Sequence, residues 1–285
     1  MDLLEQKFQE LRERGEGAHM AHVYYGDPSE EFSLKLIETL LDNGADIIEF
    51  GIPFSDPIAD GPVFQRACER SLRAGVTPPK CIEAIRKLRC NRIEAPIIVT
   101  TYFNIPYVMG FEKFLEKIRS AGAQGILIPD LPVEEAGPYI KLASKNGLHI
   151  ILQVAPTTSL QRLNRILKAA SGFIYLVSLE GVTGARLEKT SATFRLIRIV
   201  KLQSTIPVIV GFGISKREHA ETMIIAGADG VVVGSAYTKI YMKHLENPHL
   251  KLHEIAKLAN EIKKGCINGY KTKNFQYANK ANIRR

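Results

Sequence analysis

Cysteine is scarce and scattered: the 285 residues hold four, Cys68, Cys81, Cys90 and Cys266, with no Cys-x-x-Cys pair and no metal-finger spacing. That pattern argues against a disulfide framework or a structural zinc site, and it is expected of a protein kept reduced in the cytoplasm. No apolar run is long enough to span a bilayer. The first fourteen residues are acidic and amphipathic, with Leu3, Leu4, Phe8 and Leu11 on one side, and lack the cationic, apolar start of a secretory signal. No linker, low-complexity tract or shift of composition interrupts Ala18 to Ile240, so a single domain is expected over residues 1–268.

Acidic residues also run out near the end. From Lys263 onward the chain has seven basic residues and no acidic one, which accounts for most of the formal charge of +8 and leaves the body nearly neutral. Residues 269–285, with few large apolar side chains, read as a basic, flexible tail rather than a nucleic-acid-binding arm. Neither nucleic acid nor a membrane is expected as a partner. His249 and His253 stand at i, i+4 spacing but without an adjacent carboxylate pair, so they read as surface histidines and no metal is expected.

What the sequence does have is regular alternation. Short apolar, β-branched runs at Ala21–Tyr25, Ile47–Gly51, Ile97–Tyr102, Gly125–Ile128, Ile150–Val154, Phe173–Val177, Val208–Gly211 and Gly230–Gly234 are separated by amphipathic stretches of helical length. The stretches begin near Ser29, Pro62, Phe111, Val133, Ser159, Thr193, Lys216 and Pro248. Asp27-Pro28-Ser29-Glu30 and Ser215-Lys216-Arg217-Glu218 place capping side chains at helix starts, and Gly44, Gly122 and Gly227 sit where helices end before a strand. Eight such units predict an α/β fold, a (β/α)8 TIM barrel with an extra N-terminal helix and a basic C-terminal tail. An open doubly wound sheet would carry a glycine-rich fingerprint after its first strand, and His22 to Asp27 has none.

In such a barrel the chemistry lies at the carboxyl ends of the strands. There the run Glu49-Phe50-Gly51-Ile52-Pro53-Phe54-Ser55-Asp56-Pro57-Ile58-Ala59-Asp60-Gly61-Pro62 sets a carboxylate at a strand end and two more on the loop that follows. An acid so placed has a low-dielectric wall behind it, which raises its pKa toward the range useful for proton transfer. In isolation, a Pro/Gly turn whose aspartates cap the next helix would give the same pattern. A second half of a site follows strands seven and eight, where Gly211-Phe212-Gly213 and Gly234-Ser235 offer backbone amides and a hydroxyl to a phosphate. Gly181-Val182-Thr183-Gly184 can close over the same ligand.

These pieces together resemble the tryptophan synthase alpha subunit family from about Glu16 to Tyr241. The stretch Gly51 to Pro62 is a specific signature, with Gly26 to Pro28, Pro129 to Glu135, Gly181 to Gly184 and Gly211 to Ser215 following in order. The resemblance implies cleavage of indole-3-glycerol phosphate to indole and D-glyceraldehyde 3-phosphate, with the indole passing to a beta subunit in an alpha2beta2 assembly. It also implies no cofactor in this chain, pyridoxal phosphate being expected only in the beta partner. Glu49 would shuttle protons at indole C3 and the side-chain hydroxyl, and Asp60, ionised on a solvated, movable loop, would accept the indole N–H. Thr183 would bond Asp60 on closure, Tyr175 would support the substrate, and Tyr102 and Phe212 would line the indole pocket. Gly184, Gly211, Gly213, Gly234 and Ser235 would hold phosphate.

The sequence departs from the family pattern at several positions facing this pocket or the partner. His22 stands where Phe is typical and would bring a titratable group to the rim; Thr100 replaces an aliphatic, Pro129 a small residue, Leu179 an arginine, and Tyr24 is also changed. Other readings stay open: a stand-alone lyase releasing free indole, a catalytically impaired activator of a beta subunit, or another phosphate-binding barrel enzyme. A Schiff-base aldolase would need a strand-end lysine, and none of the eight strand candidates contains one.

Overall fold

The computed structural model describes residues 2–177, 186–211 and 213–283, with backbone alone for 186–190 and 276–283. In chain order the elements are α1 (Leu3–Arg14), β1 (Ala18–Tyr24), α2 (Glu30–Asp42), β2 (Ile47–Gly51), α3 (Pro62–Arg73), α4 (Pro78–Cys90), β3 (Ile97–Thr100), α5 (Asn104–Met109) and α6 (Phe111–Ala121). There follow β4 (Gly125–Leu127), α7 (Gly137–Lys145), β5 (His149–Val154), α8 (Leu160–Ala169), β6 (Ile174–Val177), α9 (Arg186–Gln203), β7 (Val208–Gly211), α10 (Arg217–Ala226), β8 (Gly230–Val233), α11 (Ser235–Tyr241) and α12 (Leu252–Ile283). The eight strands pair in parallel in sequence order, and β8 closes on β1. This is the expected (β/α)8 barrel. Its strands are buried on both faces, inside by one another's side chains and outside by helices, which is why they read as continuous apolar runs.

The N-terminal helix has a definite job. Asp2 caps α1 through the amides of Leu4 and Glu5, and Glu5 returns a bond to the Asp2 amide. The helix then lays Leu4, Phe8 and Leu11 against the barrel interior, among Met20, Ile47, Ile98, Ile151, Phe173 and Ile209. Phe8 meets Phe173 edge-on with centroids 6.0 Å apart. Thus α1 seals the amino-terminal end, and the other end alone remains for a ligand.

Several expectations are corrected. One helix was expected between β2 and β3, and there are two, because Gly75 at φ +75° and the Pro78-Pro79 pair break the amphipathic run. The helix expected from Val133 starts at Gly137, and the one expected from Thr193 already begins at Arg186. The cap of α10 is Lys216, without a side-chain bond, in place of Ser215. The boundary expected at 268/269 falls inside α12, which runs through Ile283. Small residues explain how closely it packs: a Cβ on Gly265 would collide with the Arg217 carbonyl, and one on Gly269 would lie 2.7 Å from the Glu221 carbonyl, so glycine lets α12 lie directly on α10.

Asp27 was expected as a helix-capping side chain, but Ser29 caps α2 and Asp27 turns inward. Fully buried, it accepts two bonds from Arg70 on α3, Nε at 2.6 Å and Nη2 at 2.8 Å, and one from the Tyr241 hydroxyl on α11 at 2.6 Å. The clamp fixes α3, which follows the Glu49–Asp60 loop, against α11, which follows β8. Removing one member of a buried charge pair strands the other, at a cost of about 3–5 kcal/mol. Asp27→Ala is therefore expected to lower the urea unfolding free energy by about 3 kcal/mol, the low end because Arg70 reaches solvent; an unchanged midpoint would refute the clamp.

Candidate active site

Glu49 stands near the carboxyl end of β2 with 2% of its surface exposed. One carboxyl oxygen, Oε1, accepts a bond from Thr100 Oγ1 at 2.7 Å, and the other, Oε2, has no protein partner. Burial pushes the group from 4.5 up to about 8, opposed by the Thr100 bond and assisted by the charge of Asp60. His22 is its register partner on β1, with Nδ1 3.5 Å from Oε1. Burial takes His22 down to about 3, so near neutrality the two form no ion pair: the imidazole is neutral. The expectation of a titrating histidine at the rim is thereby corrected, because His22 is enclosed between the rings of Tyr24 and Phe64, at centroid distances of 4.9 and 4.6 Å.

Asp60 lies on the loop between β2 and α3. Its Oδ2 accepts hydrogen bonds from Tyr24 and Tyr102 hydroxyls, both at 2.7 Å, and the Tyr102 oxygen in turn accepts the Ala59 amide at 3.1 Å. Asp60 is therefore half-buried and pinned, where a solvated carboxylate was expected. Burial raises its pKa and the two phenols oppose the rise, since they stabilise the ionised form. The site thus holds two carboxyl groups in contrasting settings: one oxygen of Glu49 is buried without a partner, whereas Asp60 is held by two donors. Tyr102, expected as a wall of the pocket, instead sits behind Asp60, stacked on Phe54 at 5.3 Å.

Glu49 and Asp60 face one cavity at the barrel mouth, together with His22, Tyr24, Thr100 and Tyr175. Leu127, Ile214 and Val232 add apolar wall, and Pro129 also contributes. Of the glycines expected to hold phosphate, Gly213 and Gly234 border the cavity, as does Ser235 where α11 begins. Gly211 is explained differently: a Cβ there would lie 2.6 Å from Tyr175 Cε1, so its smallness makes room for the Tyr175 ring. Phe212, Thr183 and Gly184, and with them Leu179, lie outside the described residues.

Two polar lining residues escaped the sequence reading. Lys239 borders the cavity one helical turn after Ser235 and brings a cation to the glycine side; the i, i+4 spacing from Ser235 was the available signal. Gln153 on β5 is the other, legible only as a polar residue within the apolar run Ile150–Val154.

A family model described as tryptophan synthase alpha chain matches residues 8–267. The chain is similar to proteins named tryptophan synthase alpha chain from Methanocaldococcus jannaschii, 48% identical over 88% of this chain and 89% of the relative, and from Methanothermobacter thermautotrophicus, 45% identical over 90% and 95%. Among solved structures, tryptophan synthase subunit alpha from Legionella pneumophila superposes with a TM-score of 0.85 at 34% identity, covering 94% of this chain and 99% of that one. A chain of tryptophan synthase from M. tuberculosis in an aminoacrylate-bound form gives 0.82 at 31% identity, covering 93% and 100%.

The raised pKa of Glu49 has a consequence for stability. Because the folded protein holds this proton more tightly than the unfolded chain, the stabilisation it contributes is complete below pH 4.5 and is lost as pH rises through about 8. Glu49→Gln removes the titration, so its thermal midpoint relative to wild type is expected to be higher at pH 9 than at pH 5. An equal difference at both values would contradict the buried, protonated carboxyl.

Proposed function

The chain belongs to the tryptophan synthase alpha chain family, and from that premise we infer that it is a carbon–carbon lyase, cleaving indole-3-glycerol phosphate to indole and D-glyceraldehyde 3-phosphate in the biosynthesis of L-tryptophan. The observation that carries the reading is a carboxyl group with a pKa of about 8 facing the same cavity as a second carboxylate fixed by two phenols. A neutral indole carbon is a poor leaving group until the ring is protonated at C3, so the reaction needs an acid there and an acceptor at nitrogen.

In this reading, protonated Glu49 delivers its proton to C3 while Asp60 accepts the indole N–H, giving the indolenine tautomer. The Glu49 carboxylate then removes the proton of the hydroxyl on the carbon attached to the ring. The carbon–carbon bond breaks, its electrons return to the ring as Asp60 gives the nitrogen its proton back, and that carbon leaves as the aldehyde. Glu49 ends protonated as it began. Tyr24 and Tyr102 keep Asp60 ionised and aimed, and Tyr175 supports the glycerol chain. The amides near Gly184, Gly213 and Gly234, the Ser235 hydroxyl and the Lys239 ammonium bind the phosphate, with Gly211 shaping the Tyr175 wall and Thr183 and Phe212 completing the closed pocket.

No lysine lies in the eight strands, which disfavours a Schiff-base aldolase, and the intact acid pair disfavours a lapsed pocket. A pyridoxal-phosphate beta subunit in an alpha2beta2 assembly is the proposed partner, and the cytoplasm the proposed location. Ile58, Tyr107 and Val108 support the partnership: they are 79%, 67% and 75% exposed, and each follows the carboxyl end of a strand, the same end as the cavity. Acid–base groups suffice for this half of the reaction, so the chain is proposed to need no cofactor.

Purified protein is expected to release indole from indole-3-glycerol phosphate, with Glu49→Gln and Asp60→Asn each lowering kcat by about 100-fold or more. Tyr102→Phe, which removes one of two donors to Asp60, is expected to cost about tenfold. Wild-type indole release no greater than that of Glu49→Gln, with or without the beta subunit from the same genome, would reject the lyase reading.

A further inference from the structure

Among the described residues only two buried side-chain polar atoms lack a hydrogen-bond partner, His22 Nε2 and Glu49 Oε2. They belong to register partners on adjacent parallel strands, and both side chains border the same cavity. Native proteins rarely leave such atoms unsatisfied, and two of them on register partners at one cavity call for an explanation, for which a ligand is the natural candidate. Glu49 is explained by the proposed reaction. His22 is not.

The imidazole has little freedom to find another partner. Tyr24 and Phe64 hold its ring, Gly234 is so close to its stem that a Cβ there would lie 2.9 Å from His22 Cβ, and only 6% of the residue is exposed. Its Nδ1 is turned to Glu49 Oε1 at 3.5 Å, which leaves Nε2 as the free atom. A buried, neutral imidazole has one donor and one acceptor nitrogen. When Glu49 is ionised, as in the bond-breaking step, Nδ1–H donates toward Oε1 and Nε2 is a bare acceptor. Two unpartnered acceptors, Glu49 Oε2 and His22 Nε2, then belong to register partners at one cavity, and the complementary ligand group is a pair of neighbouring hydroxyls.

We propose that His22 is a substrate-contacting specificity residue, whose Nε2 accepts a hydrogen bond from the side-chain hydroxyl adjacent to the one that Glu49 deprotonates. The inference rests on the lyase reading above and adds to it recognition of a vicinal diol by two adjacent strand residues. No proton is transferred through His22: it orients the diol so that the first hydroxyl presents its proton to Glu49.

The test compares indole-3-glycerol phosphate with its analogue lacking the second hydroxyl, using wild type, His22→Phe and His22→Gln. Wild type is expected to prefer the natural substrate in kcat/KM by about tenfold. His22→Phe, which keeps the ring and loses both nitrogens, is expected to lose that preference by falling on the natural substrate alone, and His22→Gln to restore part of it. Because Phe removes an unsatisfied buried nitrogen, its thermal midpoint is expected to equal or exceed that of wild type, which separates a lost contact from a damaged fold. An undiminished preference in His22→Phe would overturn the proposal. If wild type cleaves neither compound the lyase reading fails, and calorimetric affinities of the same two compounds for wild type and His22→Phe then decide the contact by the same comparison.

Discussion

A carboxyl group kept out of water with one oxygen uncommitted is the constraint around which the barrel mouth is arranged. Glu49 is surrounded by strand residues, so water cannot stabilise its charge, and the protein supplies a single firm donor, Thr100, to one oxygen only. Had the structure satisfied both oxygens, the pKa would fall and the group would lose its proton near neutrality. Leaving Oε2 bare keeps the proton available. Asp60 shows the opposite solution, with two phenols converging on one oxygen to hold the ionised form. The contrast comes from neighbours, because the two carboxyl groups have similar intrinsic acidity.

Positioning these groups requires that loops of different ancestry in the chain hold still together. The Asp27 clamp does this with residues that do not themselves line the cavity. It gathers the loop after β1, the helix after the Asp60 loop and the helix that begins at Ser235 onto one buried carboxylate. The acid–base half of the pocket and its glycine-lined half are thereby referenced to a common point. Tyr24 plays a related role within the cavity, touching Asp60 through its hydroxyl while its ring packs on His22 and Phe64.

Much of this was legible in the sequence, for identifiable reasons. Strands buried on both faces are continuous apolar runs, so Ile47–Gly51 and Val208–Gly211 were placed to the residue, whereas β1 begins three residues earlier than expected because polar His19 breaks the run. Glu49 stood out because a carboxylate at a strand end conflicts with its apolar surroundings, and Asp60 because the family resemblance gave a role to the loop that follows. Distant pairings were not legible. Asp27 beside a helix start looks like a cap, and only the fold brings Arg70 and Tyr241 to it. Tyr102 looks like a wall until its hydroxyl is seen on Asp60, and α12 looks loose because the glycines that seat it on α10 resemble a lack of core.

The plug formed by α1 has a bearing on traffic. With Leu4, Phe8 and Leu11 filling the floor, the barrel is a vessel with one opening, and a small apolar product has no drain at the bottom. Indole must depart by the route its precursor took, past the rim where Ile58, Tyr107 and Val108 stand uncovered. Entry and exit are therefore strictly sequential, and any surface that roofs this rim both governs admission and is first to receive what is made.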